Sequence, residues 1–569
     1  MTQAMIERLS DQQRFLLVQS LEMMDPLYDG VIELLWDEEK PDTHNTRSSG
    51  HYALALLMRN APGDAERAYG VLERVMDLQF DCPDEIYHGT FRTSPEAGSP
   101  PAGNYDWKKF APGFAFFLSE TVEKVGKKLT GQLTRQVDVT ETGLDDQTIR
   151  NALRCAVDEV LPPVWKSYDP NWREFIACTF AVILDEFGAR MPEALVRRMD
   201  DSMRKAVGAS IDRRFSDAIP MNSNIVLMHI FITHYYGYRF ADASWMDHAD
   251  RQAAEMLAAY EEFGSLSEFN TTTYYGVDLT VLGMWRVYGK TPGIRETGSK
   301  LEHGLWANIA QFYNPNLENL SGPFARAYEM EMIGHSSIGV FLYLALGKNY
   351  EYMTPVNCET SHDPLIALVG VDMPEALLPQ FRVHAGDRRT ERQFRELCER
   401  DQPGENSHLC TAAAWIESKR MIGAMSGSRN TNGQMHPATI HWVNADGEKC
   451  YLRLLRREKG KSWNSHLRGM IFEAKVQKDW LAIDIQLDTD VEIEVYFEIS
   501  GPGLSPDSSE ITSGIWTLPN LACKVSAAAP EPVICWNEEG TLLEIIYLHR
   551  PQDGKARMNF TLQLDPLTL

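Results

Sequence analysis

The sequence predicts an N-terminal (α/α)6 toroid followed by a C-terminal antiparallel β-sandwich. Six strongly apolar stretches begin near His51, Pro112, Phe175, Asn224, Gly276 and His335. Their spacing, roughly fifty to sixty residues, is that of a helical hairpin repeat. Between most of them lie more amphipathic segments, the pattern of an inner ring of apolar helices inside an outer ring. After about residue 375 the helical period gives way to short alternating runs separated by turn signals.

Residues 1–40 read as an N-terminal helix and a connector. Arg47 to Asn60 reads as the first inner helix and Gly63 to Phe80 as its partner. Residues 89–109, rich in Pro, Gly and Ser, form a long loop ending in NYDWKK, and long loops inside a compact domain are often functional. Asp169 can cap, and Pro170 suits, the first turn of a helix running EFIACTFAVILDEFG to a glycine stop. Pro192 opens an outer helix with Leu195, Met199 and Met203 spaced by four. The run NIVLMHIFITHYYG is apolar nearly all round, so both of its sides must be covered. Ala254 to Phe263 reads as outer, Tyr275 to Tyr288 as inner, Thr297 to Phe312 as outer and Gly334 to Leu346 as inner.

The toroid spans 1–375, a polar linker 376–404 and the β-domain 405–569. The strands read ATIHWVN, CYLRLLR, DIQLDTD, VEIEVYFEIS, TLLEIIYLHR and MNFTLQL, with DGE, GPG and QDG as hairpin turns.

Length and composition agree with this reading. The 569 residues exceed one core, and the 44% hydrophobic and 24% charged content is that of a globular protein. No apolar run approaches a membrane span. The first residues, MTQAMIERLSDQQRF, lack a secretory pattern, so the expectation is a cytoplasmic protein. A net charge of −25 argues against nucleic-acid and anionic-membrane partners. The nine cysteines are an odd number without a C-x-x-C pair and read as reduced core residues.

Inner helices that all start at one end send their first turns to one mouth, and the polar clusters lie there. Asn222 and Asn224 precede or open the fourth inner helix. Each serves equally as a helix cap or as an amide donor to a substrate carboxylate. Tyr274 and Tyr275 open the fifth. They are either packed aromatics with tethered hydroxyls or a phenol that exchanges protons with substrate, the latter needing a nearby cation to lower a pKa near 10. Arg326 can be that cation, or one half of a structural ion pair with a nearby Glu. Tyr328, Glu329, Glu331 and His335 follow closely, and His335 reads as general acid or base or as a core histidine. Candidate substrate-binding residues are Arg47, His88, Arg92, Trp107, Asn171, Trp172 and Glu268. His408, His436 and His441 lack an acidic or Cys ligand that would complete a metal pattern. Phosphate-loop, G-x-S-x-G, H-E-x-x-H and dinucleotide motifs are missing, so no cofactor is expected.

This order of elements and residues resembles the polysaccharide lyases of the heparinase II/III and chondroitin AC/alginate lyase type. The resemblance implies β-elimination on a uronate-containing oligo- or polysaccharide. It implies that Asn222 or Asn224 neutralises the uronate carboxylate, that Tyr274 or Tyr275 is the catalytic tyrosine and that Arg326 is the arginine. His335 follows the tyrosines where a chondroitinase-like order puts it before them, which leaves the base unassigned. Three alternatives stay open. One is a glycoside hydrolase using two of Asp169, Glu174, Glu268, Asp278, Glu329 and Glu331. The others are a small-molecule lyase, isomerase or cyclase of secondary metabolism, and a non-catalytic sugar-binding protein.

Overall fold

A computed structural model describes residues 8–83, 87–98, 168–216, 222–333, 338–355, 362–397, 407–429, 433–463, 467, 469–489, 491–551 and 555–565. The helix expected near Pro112, together with Trp107 and His335, lies outside the described residues. Helices occupy the N-terminal part and two large antiparallel sheets the C-terminal part.

The helices are α1 (Asp11–Met24), α2 (Thr46–Arg59), α3 (Asp64–Asp77), α4 (Trp172–Glu186), α5 (Glu193–Ser216), α6 (Ser223–Phe240), α7 (Ala243–Phe263), α8 (Tyr274–Tyr288), α9 (Pro292–Phe312) and α10 (Ile338–Leu346). Even-numbered helices are the deeply buried ones. The chain from Thr46 to Met58 in α2 is wholly buried, whereas α7 buries only His248, Ala249 and Ala253. Helix α2 packs on α4, α4 on α6, α6 on α8 and α8 on α10, while α1 lies against both α2 and α10. The hairpins α2–α3, α4–α5, α6–α7 and α8–α9 set an amphipathic helix outside each apolar one.

Local chemistry sets the helix ends. Asn45 caps α2 by accepting from the Ser48 N–H, and Asp242 caps α7 by accepting from those of Ser244 and Trp245. Asp169 does not cap α4. Its carboxylate accepts from the Asn171 N–H at 2.7 Å, and the helix starts at Trp172. The turn that the side chain of Asp169 makes with its own backbone competes with the helix and moves the start downstream.

Short strands lie among the helices: β1 (Tyr28–Asp29), β2 (Leu34–Trp36), β3 (His44–Asn45), β4 (Tyr313–Asn314) and β5 (Asn319–Leu320). The larger C-terminal sheet is built from β6 (Arg388–Leu397), β7 (Ser407–Ile416), β8 (Arg420–Ser426), β9 (Ala438–Val443), β10 (Lys449–Glu458), β13 (Ile493–Ser500), β16 (Val533–Trp536) and β17 (Leu542–His549). The smaller is built from β11 (Met470–Gln477), β12 (Trp480–Leu487), β14 (Ile515–Leu518), β15 (Leu521–Ala528) and β18 (Ala556–Leu564). The eight strands of the larger sheet run in the order β16-β17-β13-β10-β9-β8-β7-β6, and the five of the smaller in the order β11-β12-β18-β15-β14. Phe497 of the larger sheet meets Trp516 and Phe560 of the smaller with ring centroids at 5.2 Å, so the two sheets share an apolar interior.

Three expectations are corrected. The segment expected as linker holds β6, whose charged side chains face the helices: Arg392 reaches Gln311 and Arg395 pairs with Glu262. Such charges hide a strand from a reading based on apolar alternation. The DGE turn does join β9 to β10, but GPG leads to a short helix, Ser508–Thr512, and QDG lies outside the described residues. The helical part is also not purely helical, since β1 to β5, each two or three residues long, lie within it. No helix among the described residues is long and apolar enough to cross a membrane.

Candidate active site

The residues that precede α8 and those that follow β5 run side by side. Asn270 takes a left-handed conformation (φ 51°), and its amide donates to the carbonyls of Ser321 at 2.7 Å and Pro323 at 2.8 Å. Thr272 Oγ1 donates to the Glu329 carbonyl at 2.7 Å, and Thr273 Oγ1 accepts from the Tyr328 N–H at 3.1 Å. The threonines of EFNTTTYY therefore stitch the tyrosine-bearing segment to the arginine-bearing one.

This pairing builds the site. Glu268 Oε2 accepts from the Asn224 side-chain amide at 2.7 Å and from the Asn224 N–H at 3.1 Å. Glu268 Oε1 accepts from Arg326 Nη1 at 2.6 Å. The Arg326 guanidinium lies 4.2 Å from the Tyr274 ring centroid, and the Tyr274 hydroxyl donates to that of Tyr328 at 3.1 Å. The β-domain closes one side. Gln434 Oε1 accepts from Arg326 Nε at 2.6 Å. Arg453 Nη1 donates to the Tyr328 carbonyl at 2.8 Å, and Trp463 packs edge-on to the Tyr328 ring. Asn224, Glu268 and Tyr274 are buried, while Arg326 and Tyr328 are half-buried.

Burial pushes the Tyr274 phenol well above its ordinary value, against the pull of Arg326. The expectation that a cation lowers the phenol is corrected here, because desolvation outweighs it. Burial opposes the charge of Arg326, yet Tyr274 and Glu268 together hold its pKa above the usual arginine value. Asp278 lies one turn beyond Tyr274, fully buried, and neither carboxyl oxygen has a partner among the described residues. Burial and the neighbouring Glu268 push its pKa well above the carboxylate range.

Other candidates stand elsewhere. The Tyr275 hydroxyl accepts from the Asn270 N–H at 2.5 Å and packs away from Arg326. Asn222 is half-buried and makes no capping bond. Arg47 stacks on Phe175 at 3.5 Å. Beside it, burial pushes Asp169 up to about 6 although Arg213 and Arg47 oppose the rise. His88 Nδ1 accepts from the Cys82 N–H, Arg92 donates to the Ala97 carbonyl, and Asn171 accepts from Arg213. These bonds pin Cys82 to His88, Arg92 to Ala97 and the start of α4, where Trp172 is buried. Glu174, Ser210, His229 and His248 form a separate buried chain, with Ser210 Oγ and His229 Nδ1 2.8 Å apart. His436 Nε2 faces Arg453, and His441 Nε2 lies 3.2 Å from the Met330 carbonyl, so the two rings address different partners. No group of three metal-ligating side chains occurs among the described residues.

Sequence reasoning missed Gln434, Arg453 and Trp463, which reach the site from a domain more than a hundred residues away in the chain. It saw Glu268 without its two donors.

With this geometry in view, three solved structures align with most of the chain. A heparinase III is 8% identical over 90% of this chain and 90% of that one, with a TM-score of 0.29. The chondroitin AC lyase of Streptomyces coelicolor A3, solved with chondroitin sulphate, is 9% identical over 98% and 83%, with a TM-score of 0.33. A chondroitinase AC lyase solved with oligosaccharides is 8% identical over 78% and 75%, with a TM-score of 0.31. Residues 14–154 and 156–370 match a family described as "Domain of unknown function (DUF8769)", and the chain belongs to that family. No curated protein matches the sequence.

Proposed function

We propose that this protein is a carbohydrate-active lyase that cleaves a uronate-containing oligo- or polysaccharide by β-elimination, on an (α/α)6 toroid backed by a β-sandwich. One observation carries the reading. The Asn224 amide and the Arg326 guanidinium both donate to Glu268, and the guanidinium lies over the Tyr274 ring, whose hydroxyl bonds to that of Tyr328.

β-Elimination removes the proton α to the uronate carboxylate, builds charge on that carboxylate and expels the glycosidic oxygen. Asn224 and Arg326 are donors suited to a carboxylate whose charge grows in the transition state. Tyr274 is kept protonated by burial and supplies the proton to the leaving oxygen. Tyr328, hydrogen-bonded to Tyr274, is the group assigned to take the α proton. Mixing the protein with uronate oligosaccharides and following ultraviolet absorbance tests the reading. An unsaturated product supports it, and no absorbance from any uronate polymer overturns it.

One observation favours a second reading. Burial and the neighbouring, ion-paired Glu268 raise the Asp278 carboxyl well above its ordinary range, and a raised carboxyl next to a second one is what a glycoside hydrolase uses. Reducing-sugar release without the absorbance selects it.

A further inference from the structure

Arg326 and Asn224 are donors aimed at a carboxylate, and the carboxylate they hold belongs to the protein. Both oxygens of Glu268 are engaged, one by Arg326 and one by the side chain and backbone of Asn224. The groups facing Glu268 come from three elements. Asn224 stands on α6, Tyr274 and Asp278 on α8, and Arg326 on the segment after β5, where Gln434 of the β-domain holds its Nε. Among these the cation is Arg326. Asp278 is a second, buried carboxyl beside Glu268, with no hydrogen-bond partner for either oxygen among the described residues.

We infer that this is a carboxylate-exchange site: the carboxylate of a sugar acid takes over Arg326 and Asn224, and Glu268 leaves them as a neutral acid by taking up one proton. The inference rests on the uronate-binding reading of the mouth. Two carboxylates beside a third acid cannot both stay ionised against one half-buried guanidinium. Charge balances: the Arg326 cation exchanges one carboxylate for another, and the proton from solvent neutralises Glu268. A sugar without a carboxylate offers Arg326 nothing and leaves Glu268 in place.

The probes are galacturonate and glucuronate, which lack a glycosidic leaving group and are not consumed, with glucose as the neutral control. The full chain is titrated calorimetrically near pH 7 in two buffers of different ionisation enthalpy. Uptake of about one proton per uronate is expected, with affinity falling about tenfold per unit of rising pH. Glu268→Gln is expected to abolish the uptake, flatten the pH dependence and tighten binding, because Arg326 loses its internal anion. Uronate binding without proton uptake, uptake that persists in Glu268→Gln, or no uronate binding would each overturn the exchange. The wild-type comparison between buffers uses no variant, so it decides the question even where Glu268→Gln fails to fold. Failure of the lyase reading looks different: uronate polymers yield no unsaturated product while monosaccharide binding remains proton-linked.

Discussion

Tyr274 and Tyr275 are neighbours in sequence, but a helix turns about 100° per residue, so they face different groups. Tyr274 meets Arg326 and Tyr328, while Tyr275 closes the Asn270 backbone turn. Tyr274→Phe is expected to lower the rate of unsaturated-product formation by about a hundred- to ten-thousand-fold with little change in KM. Tyr275→Phe is expected to keep the rate and lose about 1–3 kcal/mol in thermal unfolding, because the buried Asn270 N–H is left without its acceptor. Asp278 gives a pH signature. Its pKa is raised in the folded state, so the native protein binds more protons than the unfolded chain above the ordinary aspartate value. Stability therefore falls as pH rises from about 4 towards the raised folded value, by up to about 1.4 kcal/mol per unit for one proton. Asp278→Asn is expected to remove that slope in denaturant unfolding measured from pH 4 to 8, and an unchanged slope would mean that Asp278 ionises normally.

At the scale of elements, two close approaches align the site. Asn270 holds the carbonyls of Ser321 and Pro323 from a left-handed backbone. Asn270→Ala both strains that backbone and strips the two carbonyls, and is expected to cost about 3 kcal/mol or more. Asn270→Gly relieves the strain alone, so recovery of only part of the loss in thermal melts separates the two terms. The second approach is between Gly423 in β8 and the Gly322–Pro323 backbone. A Cβ on Gly423 would fall inside the Gly322 carbonyl group, so the two parts touch through main chain. Gly423→Ala is expected to destabilise by about 1–3 kcal/mol and to reduce turnover, because Arg326 closely follows Pro323 in the chain. Unfolding and rate measurements on that variant check both effects.

Over the whole molecule, one connected apolar core runs from Leu9 to Leu564, through helices and sheets alike. Backbone pairing also crosses between the two parts, with the Phe324 and His436 N–H groups donating to each other's carbonyls at 3.1 and 2.9 Å. The two parts are therefore expected to unfold together. Calorimetry is expected to record a single transition whose van't Hoff and calorimetric enthalpies agree; a separate β-domain transition would contradict the shared core.

The change from helices to sheets was legible in the sequence, because periodicity is a local property of ten or so residues. Apolar runs such as NIVLMHIFITHYYG marked helices covered on both sides, and DGE marked the β9–β10 turn. The β6 strand was not legible, because its arginines are spent on helix contacts and mimic a solvated linker. For the site, sequence supplied the residue types, Asn, Tyr and Arg at the starts of apolar helices. It left open which of each pair turns inward. Tertiary structure alone decided that Asn224 and Arg326 share Glu268, that Tyr274 rather than Tyr275 faces them, and that Gln434 completes the shell. Those pairings join residues 44 to 108 positions apart, and desolvation on assembly, which no local pattern encodes, keeps the Tyr274 phenol protonated and raises the Asp278 carboxyl above its ordinary range.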